Sequence, residues 1–383
     1  MRHRLTFLAL SLLVSPCLLA QDPTAAGVAP LAYAPEAQAS GAMQASNVLN
    51  PNVSAIGWFQ AEAGHRNPGP GDKTVDGDSF QMKEVELGLQ AIVDPWSRAD
   101  FFISVGREGV DLEEGYLTWY RLPYDLGVKV GKFKTSFGRF NRMHTPETPF
   151  ADRPLMQQNY LGSEGLNGPG VSVSWQIPND FMFMDLTAEA ITAPREAENP
   201  SFARSSQKDN VFVGRWSTFA DISESWNATI GASAALGHAG EEFNPVTSST
   251  STLSSHLYGT DLTLRWKNIR RSIYHSFSWT TEALWSHRDA TAADVVNSHG
   301  FFTTMDYQFA QRWHSGVRYD YSQFPDDGGR HESGQLAYVT YSPSEFNLIS
   351  LQGRQVQRSD GTLEDLMFFK TTFNIGPHGA HPF

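Results

Sequence analysis

Very little sulfur chemistry is open to this chain. Its single cysteine, Cys17, lies in an apolar N-terminal stretch. Once that stretch is removed, disulfides and cysteine-ligated metals are both excluded. No later apolar run reaches the roughly eighteen residues that a membrane-spanning helix needs. Positive charge is also in short supply, with 29 Lys and Arg against 41 Asp and Glu, a formal net charge of −12. A basic face is what nucleic acid requires, so that class of partner is excluded. The signatures of common catalysts are missing as well: no G-x-S-x-G, no H-E-x-x-H, no Walker loop and no dinucleotide fingerprint after a strand. No catalytic residue and no cofactor are therefore expected. The histidines His65, His238, His256, His275, His287, His299, His314 and His331 are scattered along the chain. They show no ligand spacing, and no metal site is expected.

What the chain does have begins with a secretory signal over residues 1–20. Arg2 and Arg4 precede an apolar run from Leu5 to Val14, and Ala20 is a small residue before a cleavage point. Residues 21–48 are rich in Ala, Pro, Ser and Gln and read as a flexible periplasmic leader. From 49 to 383 the pattern is that of β-strands. Sixteen segments of about ten residues alternate apolar and polar positions, from 52–64 through 225–237, 257–267, 312–322 and 334–342 to 365–376. About ten residues is the length of a tilted transmembrane strand. Alternation is plain where Val171, Val173, Trp175 and Ile177 oppose Ser172, Ser174 and Gln176. A polar opposite face is what a wet lumen demands.

Connections supply the second argument. Alternate ones are tight, such as Asp94-Pro-Trp96, Leu122-Pro-Tyr-Asp125 and Pro343-Ser344. Those between them are mostly long and polar, including 65–78, 193–209, 238–256, 287–299 and 323–333. Short turns on one rim and long loops on the other predict an all-β fold: a transmembrane antiparallel up-and-down barrel of about sixteen strands. Trp96, Trp119, Tyr120, Tyr124, Trp266, Trp285, Trp313, Tyr321 and Tyr341 lie near strand ends and suit interfacial girdles.

The longest connection, 135–167, is unlike the others. It carries Phe137, Phe140, Phe150, Leu155, Met156, Tyr160 and Leu161, which a solvated linker would lack. A loop this long and this apolar is predicted to fold inward as a constriction. Its charged residues, Arg139, Arg142, His144, Glu147, Asp152, Arg153 and Glu164, are then candidate pore residues. On the wall, parity points inward Lys129, Arg215, Arg265, Lys267, Arg318 and Lys370. It also points inward Glu84, Glu86, Glu114, Asp185, Glu189, Asp261, Glu282, Asp306 and Asp320. Neither sign dominates. Glu113 and Glu114, consecutive on a strand, are expected on opposite faces.

These residues also carry a resemblance. Gly131-Lys-Phe-Lys-Thr-Ser-Phe-Gly138, Asn141, His144, Pro149-Phe150-Ala-Asp-Arg-Pro-Leu155, Tyr160-Leu-Gly-Ser-Glu-Gly-Leu166 and Gly170 resemble the phosphate-selective-porin-like outer-membrane family. More narrowly they are similar to its branch known as zinc-regulated outer-membrane receptors, as is the ending from Phe373 to Phe383. The resemblance implies a bacterial outer-membrane channel in contact with lipid and lipopolysaccharide, and a homotrimer like its relatives. It also implies delivery to the barrel assembly machinery through the terminal Phe383. The function expected is passive diffusion of ions and small hydrophilic solutes. Two alternatives stay open: a substrate-specific uptake channel for an anion such as phosphate or for a chelated metal, and a soluble periplasmic β-rich binding protein or enzyme.

Overall fold

The computed structural model describes residues 51–65, 80–107, 109–194, 199–204, 209–244, 248–269, 271 and 273–376. The expected signal (1–20) and leader (21–48), with His378, His381 and Phe383, lie outside the described residues. Sixteen strands form one closed sheet. They are β1 (Asn52–His65), β2 (Phe80–Asp94), β3 (Ser97–Gly106), β4 (Gly109–Leu122), β5 (Leu126–Lys134), β6 (Asn167–Gln176), β7 (Phe183–Thr192) and β8 (Asn210–Asp221). After them come β9 (Trp226–Asn244), β10 (Ser249–Lys267), β11 (Ser276–Asp289), β12 (Val295–Ala310), β13 (Trp313–Phe324), β14 (Asp327–Ser344), β15 (Asn347–Gln357) and β16 (Leu363–Ile375). Each pairs antiparallel with its neighbour in sequence, and β1 pairs with β16 to close the ring, Gly57 opposite Phe373. The barrel expected from the alternation is thus the fold.

Local chemistry places the tight turns. Asp94 accepts the Trp96 N–H at 2.8 Å, and Asn179 accepts those of Phe181 and Met182 at 3.2 and 2.9 Å. Such side-chain-to-backbone bonds replace ladder bonds where the chain reverses. Pro123 opens the turn after β4, with Tyr124 and Asp125 both at positive φ. On the other rim the expected loops 238–256 and 323–333 are mostly strand. β9 and β10 each run nineteen residues, and only two residues separate β13 from β14. The reason is composition: Ser249-Thr-Ser-Thr and its partner residues pair as well in water as in a sheet core, so the hairpin continues beyond the span a membrane requires.

Outward positions are apolar and bare. Val317, Val339, Leu351 and Met367, on four successive strands, are each at least 44% exposed. A soluble protein does not leave such a contiguous apolar band in water, whereas lipid covers it. No helix among the described residues is long and apolar enough to cross a membrane. Inward positions carry Ser350, Gln352, Arg354 and Lys370, all buried, because something fills the lumen against them.

Candidate functional site

The filling is the segment between β5 and β6. It leaves the wall at Lys134 and returns at Asn167, with two short helical turns, Phe140–Arg142 and Thr145–Glu147, and one short helix, α1 (Leu155–Leu161). Asn141 ties its neck. The Asn141 side chain donates to the carbonyls of Thr135 and Leu166, both at 2.9 Å, and accepts the Leu166 N–H at 2.8 Å. Apolar side chains then dock the segment on one wall. Phe137, Phe140, Phe150, Met156, Tyr160 and Leu161 pack with Ile191, Val211, Val213, Leu257, Leu284, Phe302, Leu336 and Tyr338 from β7 to β14. Fully burying each large apolar side chain is worth about 1.5–3 kcal/mol, which is why this loop does not remain solvated.

Polar anchors reach the remaining wall. Glu282 on β11 accepts the N–H groups of Arg139 and Phe140 at 3.1 Å and the Gln157 amide at 2.8 Å. Glu189 on β7 takes the Ser136 N–H at 2.8 Å. On the other side Lys370 donates to the carbonyls of Thr148 and Phe150 at 2.6 and 2.9 Å, and Gln352 accepts the Ala151 N–H at 2.9 Å. Arg318 bonds Asp152 at 3.1 Å, and Arg354 pairs with the same carboxylate. Burial alone would raise the Asp152 carboxyl, but these two guanidiniums hold it below its ordinary range.

A third anchor lies on β2 and β4. His144 is buried, with Nδ1 3.0 Å from Oε2 of Glu86 and 3.0 Å from Oε2 of Glu113. Its Nε2 lies 3.1 Å from Oε1 of Glu114, and Lys134 lies 3.0 Å from Glu113. Burial pushes the imidazole down, yet the Glu86 charge and the hydrogen bonds of Glu113 and Glu114 outweigh it and hold His144 well above its usual value. Here the expectation for Glu113 is corrected. The ladder steps from Phe102 opposite Glu114 to Ile103 opposite Leu112, so Glu113 is the extra residue of a β-bulge. The bulge turns both carboxylates to the lumen.

The other candidates fall into three groups. Arg215 is neutralised on the wall by Asp261, at 2.6 and 2.9 Å, and Arg318 bonds Asp320 at 2.8 Å as well as Asp152. Arg139 and Arg265 line a cavity of about 80 Å³ between the loop and β10 to β14, with Glu282, Asp306 and Tyr338. Asp306 accepts the Tyr338 hydroxyl at 2.8 Å. Arg142, Glu164 and Lys267 are exposed, Glu147, Glu84 and Asp185 are half-buried, and Lys129 stands 4.0 Å over the Tyr116 ring. Arg153 is buried inside the loop, 5.3 Å over Phe140. Burial pulls its guanidinium down from its usual value. Sequence reasoning missed Gln352 and Arg354 as anchors, although both share the inward parity of Ser350.

No family model matches the chain. An uncharacterized protein of Aquifex aeolicus is 29% identical over 344 residues, covering 79% of this chain and 70% of that one. Among solved structures, the anion-selective porin from Comamonas acidovorans superposes with a TM-score of 0.58 at 10% identity, over 85% of this chain and 99% of that chain. Pseudomonas putida OprB gives 0.57 at 11% identity, over 85% and 94%. The outer-membrane channel DcaP of Acinetobacter baumannii gives 0.54 at 11%, over 85% and 97%. At these identities the likeness is one of fold: a sixteen-strand barrel of the outer-membrane porin type.

Proposed function

We propose that this protein is an outer-membrane porin, a water-filled channel for passive diffusion of ions and small hydrophilic solutes, narrowed by its inward-folded segment. The observation that carries the reading is the docking of 135–166 against strands on nearly opposite sides of one lumen, β7 at Glu189 and β16 at Lys370. A wide barrel needs such a constriction to select, and a soluble binding protein has no use for the apolar outer band. On this reading residues 1–20 direct export, Phe383 is recognised by the assembly machinery, and lipid and lipopolysaccharide surround the barrel, which associates as a trimer. The finer kinship with phosphate-selective porins rests on the motif from Gly131 to Gly170.

Selectivity follows from which charges are compensated. Arg215, Arg318 and Arg354 face Asp261, Asp320, Asp152 and Glu364, whereas Glu84, Glu86, Glu113 and Glu114 gather around Lys134 and His144. A weak preference for cations is expected. The test is single-channel recording of the refolded protein in a planar bilayer under a KCl gradient. Stable open steps with a cation-signed reversal potential support the reading. An anion-signed potential favours the specific anion channel instead. A verified folded barrel with no steps, with or without its loop, overturns passive conduction.

A further inference from the structure

Glu86, Glu113 and His144 bring three ligand atoms within 4.8 Å of one another. We propose that they form a binding site for one divalent transition-metal ion that clamps the lumen segment to β2 and β4. Four features of the geometry argue for it. The His144 nitrogen lies 3.0 Å from each carboxylate oxygen, the spacing that two ligands about 2.1 Å from a shared ion show at an angle near 90°. Those same three atoms, Glu86 Oε2, Glu113 Oε2 and His144 Nδ1, are buried and meet one another, with Lys134 on Glu113, at 3.0 Å but off the direction of a well-aligned hydrogen bond. Buried polar atoms are rarely left so, and a group of three aimed at one point calls for a common partner. Glu114 accepts from the far nitrogen of the same ring, at 3.1 Å. A carboxylate there orients a ligating imidazole and raises its basicity, the usual outer support of a metal-bound histidine. Finally, the carboxylates of Glu84, Glu86, Glu113 and Glu114 converge on Lys134 and His144, so a dication is compensated locally.

Binding displaces the proton from Nδ1 to solvent and leaves Glu113 bridging the ion and Lys134. One imidazole and two carboxylates are borderline donors that suit Zn²⁺, Mn²⁺ or Co²⁺ better than Ca²⁺. The site depends on the bulge, since without it Glu113 would face lipid.

Co²⁺ is the probe, titrated into refolded, chelator-stripped full-length protein and followed by its visible absorption. Binding is read without conductance, so the outcome is independent of the porin proposal. Wild type takes one Co²⁺ per chain with a spectrum showing nitrogen and oxygen ligation, and Zn²⁺ displaces it. Glu86→Gln combined with Glu113→Gln abolishes that spectrum. Glu114→Gln weakens binding about 10–100-fold. His287→Ala combined with His299→Ala, two exposed residues outside the cluster, leaves it unchanged. Heat-modifiable migration on a gel verifies that each variant is a closed barrel. Absence of the spectrum in wild type, or its persistence in the Glu86/Glu113 variant, overturns the proposal and leaves the cluster as an ion-pair clamp.

Discussion

Single side chains hold the inward-folded segment in place, and two of them give sharp expectations. Asn141 is fully buried and satisfies both sides of the loop neck. Asn141→Ala leaves the Leu166 N–H without its partner, and each buried group so stranded costs roughly 1–3 kcal/mol. The barrel survives, because no ladder bond is touched. The expected result is loss of hydrogen-exchange protection confined to 135–166. Asp152 gives a pH dependence. Its folded-state pKa is depressed, so the stability it contributes is fully present above its unfolded value near 4 and is lost as pH falls through the folded value. The latch to Arg318 and Arg354 therefore persists at pH 5 and releases only below about pH 4. Asp152→Asn removes that acid transition, which loop-reporting fluorescence would register.

At the scale of elements, strands were legible and the loop interior was not. Period-two alternation marks a strand wherever one side is lipid and the other wet, so β5 begins and ends where the pattern does. The hairpins β9–β10 and β13–β14 overran their expected ends because polar stretches, Ser249 to Thr252 in one and Arg330 to Ser333 in the other, read as loop but pair as strand in solvent. Inward folding of 135–167 was foreseeable from its aromatics. Which wall receives it was not, since that depends on partners more than a hundred residues away, such as Glu282 for Phe140. The carboxylate pair at Glu113 and Glu114 was misread because a bulge leaves no mark in the alternation of a single strand. Excising 137–165 with a short glycine linker is expected to leave a folded barrel and raise conductance several-fold, since β5 and β6 pair directly above the neck. An unchanged conductance would show that the narrowest point lies elsewhere.

For the molecule as a whole, the two faces of one strand give the cleanest contrast. Arg318 is native to β13 because it points into the lumen at the carboxylates of Asp152 and Asp320, while its neighbour Val317, 54% exposed, points outward. Val317→Arg should destabilise the barrel in bilayers by about 2–4 kcal/mol if it lies near the midplane. Urea unfolding in vesicles measures this, and a neutral result would place Val317 at the headgroups. The β1–β16 seam has a kinetic meaning too. Its partners, such as Ala55 and Ile375, come from opposite ends of the chain, so closure must wait for the last strand. The lumen segment grips both banks of that seam, Glu86 on β2 and Lys370 on β16, while Lys370 also lies 5.1 Å over the Trp58 ring of β1. It must be enclosed before the ring shuts, and from inside it draws the two edges together. The lumen segment is in this sense a mandrel on which the cylinder is wound. Lys370→Ala should slow the appearance of the heat-modifiable form more than it lowers the final yield.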